Sequence, residues 1–346
     1  MKRLFQRLAD NRLASLKPYN AFSDELKRIF GCKVQRISVD AGFTCPNRDG
    51  WLDTEGCIFC GSHGSGSHGI SRNLSVAGQI EDGKEVMRRK YRASRFIAYF
   101  QAYSNTYSSV EHLAELYTEA LGVPDVVGLI VATRPDCIPD PILDCLSRFN
   151  QKTYLWLELG IQSIHDKSLR FINRRHDHAC SVDAVLRAAS HGLRVCAHVI
   201  LGLPGETRDE MLAMAGELNR LGVAGVKLHL LHVMKSTGLA EMYGRGELQV
   251  LDRDEYAGLV CDFLERLDPR ILIHRLTGDG GHDNLVAPLW SLKKFEVLNL
   301  IDSEMERRGT RQGSSIKNQT STTEAQRHGE KQRLESMVKT FKVGLK

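Results

Sequence analysis

The chain has 346 residues, 42% hydrophobic and 26% charged, proportions that suit a globular protein with a sizeable core and exclude a low-complexity or collagen-like chain. No apolar run approaches the length of a membrane span and the basic start, Met1 to Arg12, lacks an apolar signal core, so the cytoplasm is the expected location. The formal net charge of +5 sits largely in the last stretch, Ser314 to Lys346, with seven Lys/Arg against three Asp/Glu; the rest, 40 against 39, is near neutral and gives no bulk-charge argument for nucleic-acid binding.

Residues 1–30 mix basic and apolar side chains and read as an N-terminal extension, with Phe22, Leu26 and Phe30 at helical spacing. Six short, nearly continuous apolar runs follow: Val34–Val39, Phe96–Phe100, Val126–Ala132, Thr153–Leu159, Val195–Leu201 and Gly225–Leu231. Continuity rather than alternation predicts parallel strands buried on both faces. Amphipathic stripes lie between them, such as Val110, Leu113, Tyr117 and Leu121, or Met211, Met214, Leu218 and Leu221. Strand and helix alternate throughout, with no antiparallel hairpin signal, so residues 31–245 predict a parallel α/β sheet, either open and doubly wound or a partial barrel. Residues 246–313 form a C-terminal extension, with two helical stripes around a short strand at Ile271–Leu276 and a polar loop at Thr277–Asn284. The basic tail, 314–346, differs in kind: residues 317–333 hold no large aliphatic or aromatic side chain, which predicts disorder or a loosely attached helix.

In a parallel α/β sheet, sites gather at the carboxyl ends of the strands. The unusual polar residues of this chain obey that rule. Gln101 follows the second strand, Thr133-Arg134-Pro135-Asp136 the third, Glu158 closes the fourth with Gln162 and Ser163 beyond, and His198 to Glu206 closes the fifth. After the first strand come three thiols at C-x11-C-x2-C spacing: Cys45, Cys57 and Cys60. Three sulfurs with an open position suit an iron–sulfur cluster that binds substrate through one iron, whereas electron-transfer clusters use four cysteines. His63 offers a rival, a closed Cys3His zinc site in a binding or scaffold protein, and three unrelated buried thiols are a third reading. The other six of the nine cysteines, Cys32, Cys137, Cys145, Cys180, Cys196 and Cys261, are scattered, which argues against a disulfide framework and against a second cluster.

Gly202-Leu-Pro204-Gly205 is a tight turn where backbone can approach an adenine-sized ring, or an ordinary strand–helix turn. Glu158 in an apolar strand needs a partner, either a ligand amine or hydroxyl or an internal cation such as Arg134. Arg88, Arg89, Lys90, Arg92 and Arg95 read as a helix C-terminus with dipole-complementary charge, and secondarily as a contact for a phosphate-rich substrate. The Gly/Ser/His loop from Gly61 to Gly69 reads as a linker or a lid.

Together, Cys45-x11-Cys57-Ile-Phe-Cys60, Thr133-Arg-Pro-Asp136, Glu158-Leu-Gly-Ile-Gln-Ser163 and Gly202-Leu-Pro-Gly-Glu206 resemble the radical S-adenosylmethionine enzymes, in the wide-spaced branch that includes the catalytic subunit of Elongator. Leu276-Thr-Gly-Asp-Gly, Ala287-Pro-Leu-Trp-Ser-Leu-Lys-Lys-Phe and Arg308-Gly-Thr-Arg-Gln-Gly313 are similar to the YhcC-type bacterial members; the likeness spans roughly residues 18–313. The usual Gly-Gly-Glu after strand two is Gln101-Ala-Tyr-Ser here, and the Elongator acetyltransferase domain is absent from the likeness. The resemblance implies a partial (β/α)6 TIM-like barrel with a small C-terminal α/β extension. It further implies a 4Fe–4S cluster on Cys45, Cys57 and Cys60, and S-adenosylmethionine contacted by Gln101, Arg134, Glu158, Gln162, His198 and Gly202. One-electron cleavage of the sulfonium would give a 5′-deoxyadenosyl radical that abstracts hydrogen from substrate inside a shielded barrel. An electron donor of flavodoxin or ferredoxin type is implied as partner, and RNA as one class of substrate.

Overall fold

The computed structural model describes residues 17–61, 73–278 and 283–316. The six apolar runs form six strands: β1 (Val34–Val39), β2 (Arg95–Phe100), β3 (Val126–Thr133), β4 (Tyr154–Gln162), β5 (Val195–Leu201) and β6 (Gly225–Leu230). Two-residue β7 (Val233–Met234) follows, then β8 (Leu272–Arg275) and β9 (Leu285–Ala287). Strands β1 to β6 pair in parallel in chain order, and β8 continues the same sheet beyond β6. The result is a curled, seven-stranded half-barrel with β1 and β8 as its open edges.

Both faces of that sheet are covered, which is why its strands are apolar without alternation. On the convex side Val39, Phe100, Val131, Leu157, Val199 and Leu228 join the main core with the helices. These are α2 (Val76–Tyr91), α3 (Val110–Gly122), α4 (Asp140–Asn150), α5 (Asp166–Phe171), α6 (His178–Ser190) and α7 (Arg208–Leu221), after the N-terminal α1 (Phe22–Phe30). On the concave side Ile97, Ile130, Trp156 and Cys196 pack with Phe22 and Leu26 of α1. Helix α1 lies against both edge strands and so stoppers the amino-terminal end of the half-barrel. Its Phe22 ring stacks on His274 at 3.8 Å and meets Trp156 edge-on at 5.5 Å. Helix α7 starts with Thr207 as N-cap in a capping box with Glu210.

Three details differ from the sequence-based expectations. The strand expected at Ile271–Leu276 forms as β8 and becomes the seventh member of the main sheet. Strand β4 does not end near Glu158; it runs on to Gln162 through an irregularity at Gly160, because Leu159 and Ile161 still pack into the convex core. Glu158 therefore lies within the barrel, not at its rim. A small antiparallel pair, β7 with β9, is also present, its strands too short to leave a periodic signal.

Helices α8 (Gly238–Gly244), α9 (Arg253–Arg266) and α10 (Lys294–Arg308) complete the helices of the described residues. Arg308 joins α10 to α9 through Asp262 at 2.7 Å and Glu265 at 3.0 Å. Beyond it, buried Gln312 donates to the carbonyls of Asp268 and Ile271 and accepts from the Asn20 amide at 2.9 Å. The tail beyond Ile316, His63 and most of the Gly61–Gly69 loop lie outside the described residues.

The α1 stopper gives a direct test. Phe22→Ala should lower stability by about 3–5 kcal/mol, read as a reduced urea midpoint at unchanged slope.

Candidate active site

Cys45 begins a loop that folds on itself. The Cys45 carbonyl accepts from the Arg48 and Asp49 amides, at 2.8 and 3.1 Å, and the Pro46 carbonyl from Leu52 at 2.8 Å. The Asp53 carboxylate accepts from the Thr54 and Glu55 amides. Gly56, at φ +79°, passes under the Arg48 side chain; a Cβ there would stand 2.7 Å from Nε. Arg48 in turn donates to the Cys60 carbonyl at 2.5 Å. Cys60 closes a turn onto Cys57, amide to carbonyl, at 2.9 Å.

A second segment, following α5, clamps this loop. Ile58 donates to the Ile172 carbonyl at 3.2 Å, and Asn173 Nδ2 reaches the Gly56 carbonyl at 2.8 Å and Asp53 at 3.0 Å. Arg175 Nε binds Asp53 at 2.8 Å. Asn173, the Glu55 amide and Arg175 hold the Asp53 carboxyl well below the usual carboxylate range. Asn173 and Arg175 adopt positive φ, 54° and 62°, so that three successive side chains turn toward the loop. The middle one, Arg174, is buried and donates to Cys57 Sγ at 3.6 Å, as does Asn47 Nδ2 at 3.6 Å.

Burial, then Cys57, with Cys45 adding to them against the opposing pull of Arg48, push the Cys60 thiol up to about 11. Among the described residues, the one group of three or more Cys, His, Asp or Glu whose ligating atoms lie mutually within 4.8 Å is Glu158, Cys196 and His198, not the loop cysteines. Sulfurs on one tetrahedral zinc lie about 3.8 Å apart, given a Zn–S bond of about 2.3 Å. At least one pair of the loop sulfurs therefore lies farther apart than that, while His63, the fourth ligand of the zinc reading, lies outside the described residues. A fourth cysteine, remote in sequence, also comes near: Cys137 couples electrostatically to Cys45. Its thiol faces Asp136 at 3.9 Å, and burial with Asp136 pushes it up to about 12.

Around the loop stand the strand ends. Arg134 is buried in a two-point bond to Asp136 at 2.8 and 2.7 Å, also donates to the Arg174 carbonyl at 2.9 Å, and keeps a buried Nη1 without a partner. Gln101 donates to Ser38 Oγ at 3.0 Å. The segment after it turns inward: the Ser104 amide reaches the Thr44 carbonyl at 3.2 Å, next to Cys45, and Ser104 Oγ is buried and unpartnered. Gln162 takes φ +69° at the end of β4, its amide group close to Gly160. Gly202, at φ +89°, gives its amide to Met211 Sδ at 3.1 Å and faces Leu251, where a Cβ would come within 3.2 Å of Cδ1.

Glu158 and His198 belong to a different layer. Fully buried Glu158 accepts from Lys227 Nζ at 2.5 Å and His198 Nε2 at 2.9 Å, with His274 Nδ1 at 3.5 Å. Lys227, 1% exposed, also donates to Tyr99 at 2.9 Å. The internal partner of Glu158 is therefore Lys227, not Arg134. Burial alone would raise the Glu158 carboxyl; Lys227 and then His198 outweigh it and hold it well below the usual range. Burial pushes Lys227 down to about 8 and His274 down to about 3, against the pull of Glu158. With the ammonium on the oxygen that His198 also uses, Glu158, Cys196 and His198 do not make a cation site.

The basic residues Arg88, Arg89 and Lys90 end α2, as expected. Arg88 and Arg95 both pair with Asp125, and Arg95 opens β2 at the amino-terminal end of the sheet, opposite the cysteines.

A half-barrel with three clamped thiols at its carboxyl-terminal mouth defines a class, and the comparisons agree. Residues 45–218 match the model of the Radical SAM superfamily and residues 223–307 that of the Radical_SAM C-terminal domain: the chain belongs to the radical S-adenosylmethionine superfamily, whose enzymes work with a 4Fe–4S cluster and S-adenosylmethionine. Within it, the chain is similar to YtqA of Bacillus subtilis, 44% identical over 86% of this chain and 92% of that protein, and to YhcC of Escherichia coli K12, 36% identical over 87% and 96%. In fold it is similar to Elp3 of Methanocaldococcus infernus, with a TM-score of 0.63 at 18% identity over 81% of this chain and 64% of that one. No helix among the described residues is long and apolar enough to cross a membrane.

The buried ion pair predicts its own signature. Lys227→Met strands the Glu158 carboxylate and should lower stability by about 3–5 kcal/mol, with partial recovery in Lys227→Met/Glu158→Gln. Since the folded Glu158 carboxyl is depressed, its contribution is complete above the ordinary carboxylate range and lost as pH falls through the depressed value. Unfolding midpoints measured down the acid limb should fall less steeply in Glu158→Gln than in the natural protein.

Proposed function

We propose that Cys45, Cys57 and Cys60 hold the cluster through three of its irons and leave the fourth to S-adenosylmethionine. The observation that supports this most directly is the clamped loop itself: three thiols of one loop at the carboxyl-terminal mouth, braced by Asn173, Arg174 and Arg175, in a chain of the radical S-adenosylmethionine superfamily. When bound, cluster and cofactor supply a 5′-deoxyadenosyl radical by one-electron cleavage, the electron coming from a flavodoxin- or ferredoxin-type donor. Arg134 Nη1 and Ser104 Oγ, buried donors without partners, are proposed contacts for the cofactor's polar groups, together with Gln101 and Gln162 at the rim. Glu158 Oε2 is taken by His198 and Lys227, which gives the pair its proposed part as a fixed wall of the chamber, while buried Oε1, without a hydrogen-bond partner, stays a proposed contact for the cofactor. Gly202 keeps the turn after β5 tight against Leu251. Burial within the half-barrel excludes water and stray hydrogen donors from the reacting centre.

Anaerobic reconstitution followed by reduction with the cofactor present should release 5′-deoxyadenosine from the natural protein. Alanine at Cys45, Cys57 or Cys60 should abolish that release and lower the iron content, while Cys137→Ser should retain four irons and the product. Four bound irons without product would sink the reading, and dependence of the cluster on Cys137 would show an all-protein-ligated centre.

An RNA substrate, suggested by the Elongator likeness, is the finer proposal. The Arg88–Arg95 cluster stands at the opposite end of the sheet, with two of its members on Asp125. RNA serving the chemistry would therefore bind at the cysteine end. Reversing charge at Arg89 and Lys90 should leave RNA affinity and its salt slope unchanged in a binding titration; a flattened slope would instead assign the substrate to this basic cluster.

A further inference from the structure

The environment of the three thiols is unequal. Cys57 Sγ receives two side-chain donors, Arg174 Nη1 and Asn47 Nδ2, each at 3.6 Å, and no hydrogen bond to the sulfur of Cys45 or Cys60 is found among the described residues. Both donors are built in, not draped over the surface. Asn47 is 0% exposed and Arg174 6%. Asn47 Nδ2 also donates to the Asn173 carbonyl at 2.7 Å, and Arg174 Nη2 donates to the Gly160 carbonyl at 2.7 Å while its own carbonyl accepts from Arg134. The guanidinium makes no ion pair with a carboxylate among the described residues; its hydrogen bonds go to sulfur and carbonyl oxygen. Gly160 makes the room: a Cβ there would stand 2.8 Å from Arg174 Nη2.

We propose that Arg174 and Asn47 are positioning residues that set the reduction potential of the cluster through the Cys57 sulfur. This rests on the ligand assignment made above. A donor or a cation facing a ligating thiolate draws electron density off it, and it stabilises the reduced cluster, which carries one more negative charge, more than the oxidised one. Hydrogen bonds to sulfur and local charge are among the main determinants of iron–sulfur potentials. Their effect here is to raise the potential, so that a biological one-electron donor can load the cluster.

The test is a potentiometric titration of the reconstituted, iron-counted protein, followed by the paramagnetic signal of the reduced cluster without S-adenosylmethionine. Arg174→Gln should shift the midpoint to more negative potential, Asn47→Ala should shift it less in the same direction, and the double variant should exceed either. Gly160→Ala keeps the charge but displaces the guanidinium, and should shift the midpoint part of the way. Unchanged midpoints in Arg174→Gln and Asn47→Ala at four irons per chain would overturn the proposal. Loss of iron from all four variants in a folded chain would overturn it too, since both residues would then be mere braces of the loop. A natural protein that binds no four-iron cluster would instead refute the underlying ligand assignment.

Discussion

Holding several sulfurs together away from bulk water is electrostatically unfavourable once they lose their protons, and the site is arranged around that difficulty. The chain meets it with a second segment, Asn173 to Arg175, folded across the cysteine loop. Two consecutive arginines and an asparagine there serve three ends: one fixes Asp53, one faces Cys57, and the amide threads between Gly56 and Asp53. Left-handed backbone at Asn173 and Arg175 is the conformational expense of presenting all three to one side. The loop's own sequence supplies turns, but its shape is completed by residues more than a hundred positions away.

The concave face of the sheet is layered. Nearest α1 it is apolar and aromatic, with Trp156, Ile97, Ile130 and Phe22. Above that comes the charged layer of Glu158, Lys227, His198 and Tyr99. Replacing such a buried pair by apolar residues is often neutral for stability, so we assign its role to rigidity of the chamber wall. Lys227 Nζ, bonded to both Glu158 and Tyr99, ties that wall together across β2, β4 and β6.

Much of the architecture was legible in the amino-acid order because burial on both faces writes itself as an uninterrupted apolar run, and strands β1, β5 and β6 were recognised almost to the residue. The course of β4 was less legible: Gly160 interrupts the apolar pattern although its neighbours still pack, so the strand looked finished at Glu158. β8 is four residues long, and nothing in so short a run says which sheet it joins. The cysteines announced themselves through spacing. Their partners did not, because Arg174, Asn47 and Ser104 carry no periodicity, and an arginine 117 positions away reads as surface charge until the chain folds. Lys227 was hidden for the same reason, a single polar residue in an apolar strand, 69 positions from the carboxylate it neutralises.

Gln312 has a practical corollary. By gripping Asn20, Asp268 and Ile271 together, it fastens the first and last described stretches of the chain to one another beside the start of β8. Both attachment points thus emerge at the stoppered base, a full strand length from the mouth. A chain shortened to residues 17–316 would begin and end on the same small patch of surface, and a linker bridging those two points would be short enough to make a circularised or permuted version of that span a realistic engineering target.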